Sequence, residues 1–289
     1  AASCSDNDYR QSHFKVDFEE FLSDDEEFKM AGCMKGVALK RMDASCTREI
    51  MCYDLFHKFG IWTAPRASHT RVIFKFVEAD GKETKVDFGV YEMFEEVNKQ
   101  SLKARDADEN KETKHKNVWK CAGGDLADVN ANMGVENNVI IFDANGKRTG
   151  FKWEQPTYDL KTNKDNLASA KAELQGFITE LNAATTEAQI KAFYEKWFDI
   201  DFFLRTYAVN ILCGMDDDYW GNANNYYLYF DTGYAKATGK VYFIPFDYDN
   251  TLGASISEGG FKQNPLNWGR GKNRPLMDKL LSVPEYKSK

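Results

Sequence analysis

The chain of 289 residues is 43% hydrophobic, long enough for one large domain or two lobes with real cores and too apolar to stay disordered. A formal charge of -7 argues against broad nucleic-acid binding, which needs a basic surface, but leaves room for a nucleotide held by a local cation and a divalent metal. No run approaches the roughly 18 consecutive apolar residues of a membrane span. The 6 cysteines contain no CxxC pair, so a zinc site is not indicated; they read mostly as core thiols, with one or two disulfides left open.

The opening Ala1-Ala2-Ser3-Cys4-Ser5-Asp6 is similar to the end of a bacterial lipoprotein signal, although no apolar segment precedes it. A start with no such meaning is the equal alternative, so the compartment stays open. Residues 13–18 alternate as a strand does, and Lys15 occupies an outward or cleft-facing position on it. Residues 45–59 predict a helix capped by Ser45 and stopped by Gly60. Residues 70–78 and 85–92 predict a hairpin about an Ala79-Asp80-Gly81-Lys82 turn. Composition then shifts: 98–117 is dense in charge and reads as a solvated helix or loop, which makes 95–100 the candidate hinge between lobes.

A second small hairpin is expected at 139–142 and 150–153. Helices are expected at 166–181, from a capping box at Thr186 to Gln189, and at 201–213 ended by Gly214. The order of elements predicts an α+β chain with a strand-rich first lobe, 1–97, and a mainly helical second lobe, 98–289, with a cleft between them.

Residues 215–253 concentrate the chemistry. A loop crowded with Asp and Asn enters an aromatic strand at 225–230, and a second strand at 241–246 empties into Asp247-Tyr248-Asp249-Asn250. Antiparallel pairing brings both loops to one end of a single hairpin. Asp217 and Asn222 have the spacing of the kinase catalytic loop, and Asp247 follows a hairpin as a metal-binding Asp does in kinases. His-Arg-Asp, Asp-Phe-Gly and a GxGxxG loop are missing. The FDYDNTLG run matches the DxDxT motif of haloacid-dehalogenase-type phosphatases, but too little chain follows it for that domain. As an EF-hand loop its glycine falls one place late.

The run Asp217-Asp218-Tyr219, Asn222, Asn224-Asn225-Tyr226-Tyr227-Leu228-Tyr229, Gly239-Lys240 and Ile244-Pro245-Phe246-Asp247-Tyr248-Asp249 resembles the signature of the CotH family, kinase-like spore coat protein H proteins. Segments 13–18, 48–56, 89–97, 117–120, 158–163 and 275–286 are similar as well. The resemblance implies an atypical protein-kinase-like fold that transfers the ATP γ-phosphate to Ser or Thr of a protein with Mg²⁺ or Mn²⁺. It makes Asp217 the catalytic Asp and Asn222 and Asp247 metal ligands, and it suggests a spore-coat or envelope setting. Asn224 stands where the family commonly has His, and Phe246 where it has Trp. Lys15 is the expected phosphate-binding lysine, Glu95 a nucleotide-side residue near the hinge, and Lys120 a further lysine with a similar claim. The alternative is a catalytically silent coat or surface protein of the same shape that acts by binding a partner.

Overall fold

Alternating side chains build the first sheet. In the computed structural model, which describes residues 12–18, 34–41, 45–105, 116–233, 237–254, 264, 268–269 and 272–289, it contains β1 (Phe14–Asp17), β2 (Gly36–Lys40), β3 (Ala67–Val77) and β4 (Glu83–Glu95). The strands are antiparallel in the order β1-β2-β4-β3. Phe14, Val16, Val37, Leu39, Phe88 and Tyr91 close one face as a small apolar cluster, because residues two apart on a strand point the same way. Ala38 and Phe94, out of phase with those, join a second cluster on the opposite face. Lys40 is in phase with Ala38 and emerges there, at the strand end. Strand β2 lies outside the elements expected from sequence.

Helix α1 (Arg48–Lys58) packs against this second face through Ile50, Cys52, Tyr53 and Phe56. The expected cap shifts: Thr47 holds the N-cap position without a side-chain cap bond, and its hydroxyl donates to the Ser45 carbonyl at 3.0 Å. Gly60 follows the helix at φ 77°, as its place after the last turn predicts. After β4 comes α2 (Lys99–Arg105), so the first part of the charge-dense stretch is helical, while 106–115 lie outside the described residues.

The second sheet holds β5 (Asn117–Cys121), β6 (Met133–Gly134), β9 (Tyr158–Leu160), β10 (Tyr226–Asp231) and β11 (Lys240–Pro245). Its order is β11-β10-β5-β9-β6, with β6 and β9 parallel and the other pairs antiparallel. The expected small hairpin forms as a separate ribbon of β7 (Asn137–Phe142) and β8 (Arg148–Glu154), with every β7 residue exposed. Helices α3 (Leu167–Ala183), α4 (Glu187–Trp197), α5 (Ile200–Cys213), α6 (Tyr219–Asn222), α7 (Pro275–Ser282) and α8 (Pro284–Ser288) complete a mixed α+β chain. The capping box forms: Thr186 Oγ1 accepts from the Gln189 N–H while Gln189 Oε1 accepts from the Thr186 N–H.

Helix α5 is buried on two sides. Phe203 and Tyr207 enter the large core with Trp119, Phe177, Phe230 and Phe243. Phe202, Val209 and Cys213 enter the cluster shared with α1. At roughly 1.5–3 kcal/mol per buried large apolar side chain, this double burial makes α5 a rigid mount for the loop that follows Gly214.

Candidate active site

The Asp-rich loop turns sharply. Gly214 ends α5 in the left-handed region at φ 68°, and Asp218 caps the short α6 by accepting the Gly221 N–H at 2.6 Å. A Cβ on Gly221 would lie 1.9 Å from the Asp216 carbonyl oxygen, so this turn demands glycine. Ala223 (φ 56°) and Asn225 (φ 51°) are left-handed, an uncommon backbone for residues with side chains. They fold the segment back on itself. The Asp217 carboxylate consequently accepts the Asn222 amide at 2.9 Å and the Asn225 amide at 2.8 Å, with the Asn224 amide at 3.4 Å. Arg274 fixes the outside of the turn by donating to the carbonyls of Tyr219 (2.7 Å) and Gly221 (3.0 Å).

The loop after β11 is gripped by α1. Asp247 is left-handed at φ 63° and donates its N–H to the Tyr53 hydroxyl at 3.0 Å. Glu49 accepts the Tyr248 N–H (3.2 Å) and the Tyr53 hydroxyl (2.9 Å), and Arg48 donates to the Asp249 carbonyl at 3.1 Å. The two loops are tied together as well. Tyr248 donates its hydroxyl to Asn210, whose amide donates to Asp218. Of the seven non-glycine residues with positive φ among those described, four (Ala223, Asn225, Asp247 and Leu252) lie in these loops. Such clustering is common where a site is held in shape by its surroundings.

Lys40 ties the end of β2 to α1 and to the loop after β11. Its Nζ lies 3.1–3.2 Å from both carboxylate oxygens of Glu49 and bonds Asp247 Oδ1. The side chains of Lys40 and Glu49 are only 17% and 1% exposed, so this ion pair is largely desolvated. Burial opposes the Lys40 charge, but Glu49 and Asp247 outweigh it and hold the ammonium above its ordinary range. Phe246 lies between two lysines, with Lys40 Nζ 5.4 Å and Lys120 Nζ 5.0 Å from its ring centre. Lys120 shifts the other way. Burial lowers it first, and Lys161 adds to the fall.

The remaining expected residues lie as follows. Lys15 is 69% exposed and pairs with Glu96 at 3.2 Å. Glu95 is buried and bonded to Arg105, at 3.0 Å from Nη1, and it also accepts the Arg66 N–H at 3.1 Å. Its carboxylate therefore braces β4 against α2. Asp217 and Asn222 are bonded directly, and Asp247 is bonded to Lys40. Asp249 senses both loops: burial raises its carboxyl first, then Asp247, with Asp217 adding a smaller share. Sequence reasoning missed Lys40 and Glu49. The signal was Val37-Ala38-Leu39-Lys40, which follows the strand pattern that carries the phosphate lysine in protein kinases.

The Asn222 amide oxygen and the carboxylates of Asp247 and Asp249 are hard oxygens, the donor type that Mg²⁺ takes. Among the described residues no group of three or more His, Cys, Asp or Glu is arranged to hold a metal by itself. An ion such as Mg²⁺, which keeps several waters and takes one or two protein carboxylates together with phosphate oxygens, needs no all-protein cage. A cavity of about 1030 Å³ lies elsewhere, between α5, α7 and α8, and its described lining includes none of Lys40, Asp217, Asn222 and Asp247.

Compared with known proteins, the chain matches a protein-family model described as CotH kinase protein over residues 4–289. No curated protein and no solved structure matches it. Among the described residues no helix is long and apolar enough to cross a membrane.

Proposed function

The chain belongs to the CotH kinase family, and on that premise we propose that it transfers the γ-phosphate of ATP to a Ser or Thr hydroxyl of a protein. The observation that carries this reading is the engagement of Lys40 by both Glu49 and Asp247. In protein kinases a strand lysine pairs with a helix glutamate, and a metal-binding aspartate must be in place as well. In this reading Lys40, and not Lys15, sits against the α- and β-phosphates, with Glu49 holding its ammonium in position. Asp217 orients the acceptor hydroxyl and takes its proton as the oxygen bonds to the γ-phosphorus. The bond from that phosphorus to the β,γ-bridging oxygen breaks, and ADP leaves. Asn222 and Asp247 would hold Mg²⁺ or Mn²⁺. When bound, the ion neutralises charge on the phosphate oxygens. The sheet of β1 to β4 with α1 serves as the nucleotide side, corresponding to 1–97, and residues 98–289 carry the acceptor side.

The test is labelling of the purified chain, or of an added Ser-rich protein, by γ-labelled ATP with Mg²⁺. Asp217→Ala is expected to cut the label by about 10²-fold or more, well beyond any loss of folded protein read from its melting curve. Equal labelling of the variant overturns the assignment. If the wild type neither labels nor melts higher with ATP and Mg²⁺, the kinase-shaped partner-binding protein is favoured instead.

A further inference from the structure

Cys52 and Cys213 come from elements far apart in the chain and meet in the core. Cys52 sits on the face of α1 that carries Glu49, and Cys213 is the last residue of α5, four before Asp217. Both are fully buried in the cluster that joins α1 to α5. The two side chains interact within that cluster, and both are free thiols. The loop after Asp247 closes over the pair. Thr251 Oγ1 is 3.2 Å from Cys52 Sγ, and the Leu252 N–H donates to the Cys213 carbonyl at 2.8 Å. The other described cysteines lie elsewhere: Cys46 bonds the Val90 carbonyl and Cys121 is in the large core.

We infer that Cys52 and Cys213 are a disulfide-forming pair that fastens α1 to the end of α5. The co-reactant is a small disulfide. The Cys52 thiolate attacks one of its sulfurs, releasing one thiol and leaving a mixed disulfide on Cys52. The Cys213 thiolate then attacks the Cys52 sulfur, and the second thiol leaves. Two electrons pass from the cysteines to the small disulfide, and their two protons end on the released thiols. Cys52 is suited to attack first because the neighbouring Cys213 side chain lowers its thiol against the effect of burial. Because both sulfurs are buried, the reaction proceeds during folding or through local opening of α1.

The crosslink itself does not depend on the kinase reading. Its effect on nucleotide binding does, through Glu49, which shares α1 with Cys52. The test is to refold the full chain in oxidised glutathione, alkylate it without reduction, and map its peptides by mass spectrometry. The expected product is a Cys52–Cys213 linked peptide, two hydrogens lighter than the reduced pair and absent from Cys52→Ala and Cys213→Ala. The linked chain should melt about 5 °C higher than the reduced one. Separate alkylation of both thiols in the refolded protein, or linkage of either to another cysteine, overturns the pairing. A linked chain that melts lower overturns the fastening. A crosslinked chain without phosphoryl transfer leaves this inference standing and removes only the kinase assignment.

Discussion

Lys15 and Lys40 lie on neighbouring strands of one sheet and project from the same face. Lys15 is registered opposite Ala38, and Lys40 is two residues beyond Ala38. Yet one is 69% exposed beside Glu96, and the other is 17% exposed between Glu49 and Asp247. What separates them is the arrival of α1 and the loop after β11 over one end of the strand pair. An exposed pair such as Lys15–Glu96 contributes little because water screens it. A desolvated pair is costly to form and costlier to break, so a fold that needs only stability gains little from keeping one. That contrast is the physical reason for assigning phosphate binding to Lys40.

The sharpest way to break the comparison is to remove each lysine in turn. Lys40→Met leaves Glu49 buried without its cation and should cost about 3–5 kcal/mol in denaturant unfolding. It should also cut phosphoryl transfer by about 10²-fold. Adding Glu49→Gln to it should restore part of the stability and none of the transfer. Full activity in Lys40→Met would return the role to another cation.

A second effect, of about 4 kcal/mol at most, sharpens the role of burial beside Asp217. Asp218 is buried, and desolvation pushes its carboxyl up to about 7 against the hydrogen bonds from Gly221 and Asn210. A carboxyl raised in the folded state binds more protons there than in the unfolded chain. Its contribution to stability is therefore greatest below about pH 4, falls as pH rises to about 7, and is constant above. Urea unfolding of the wild type should show that decline, and Asp218→Asn should flatten it. An unchanged slope in the variant would mean that other groups titrate across this range. The smallest expected effect belongs to Lys15→Met: a change within about 0.5 kcal/mol in stability and less than about twofold in transfer. A large loss of activity there would erase the distinction between the two lysines.

Much of the local structure was legible in the residues. The Thr186 capping box, the Gly214 stop, the β3–β4 turn and the β10–β11 hairpin follow from side-chain chemistry acting within a few residues. The Asp217–Asn222 spacing was legible too, whereas the direct bond between the two side chains was not expected. The Val37-Ala38-Leu39-Lys40 run marks the lysine locally, but its contact with Asp247 spans 207 residues and is set by packing. Strand β2 was overlooked because five residues give too brief a period to stand out. Both hairpins are apolar in sequence, yet β10 is wholly buried and β7 wholly exposed.

Local composition alone settled which segments coil, extend or turn, and which loops carry carboxylates and amides. Those choices depend on backbone sterics and on hydrogen bonds between near neighbours. Tertiary packing decided which lysine lost its water, which carboxylates shared one neighbourhood and which thiols met. Desolvation and charge pairing depend on distance in space, and in this chain the groups that matter most are brought close by a helix and a loop from opposite ends of the sequence.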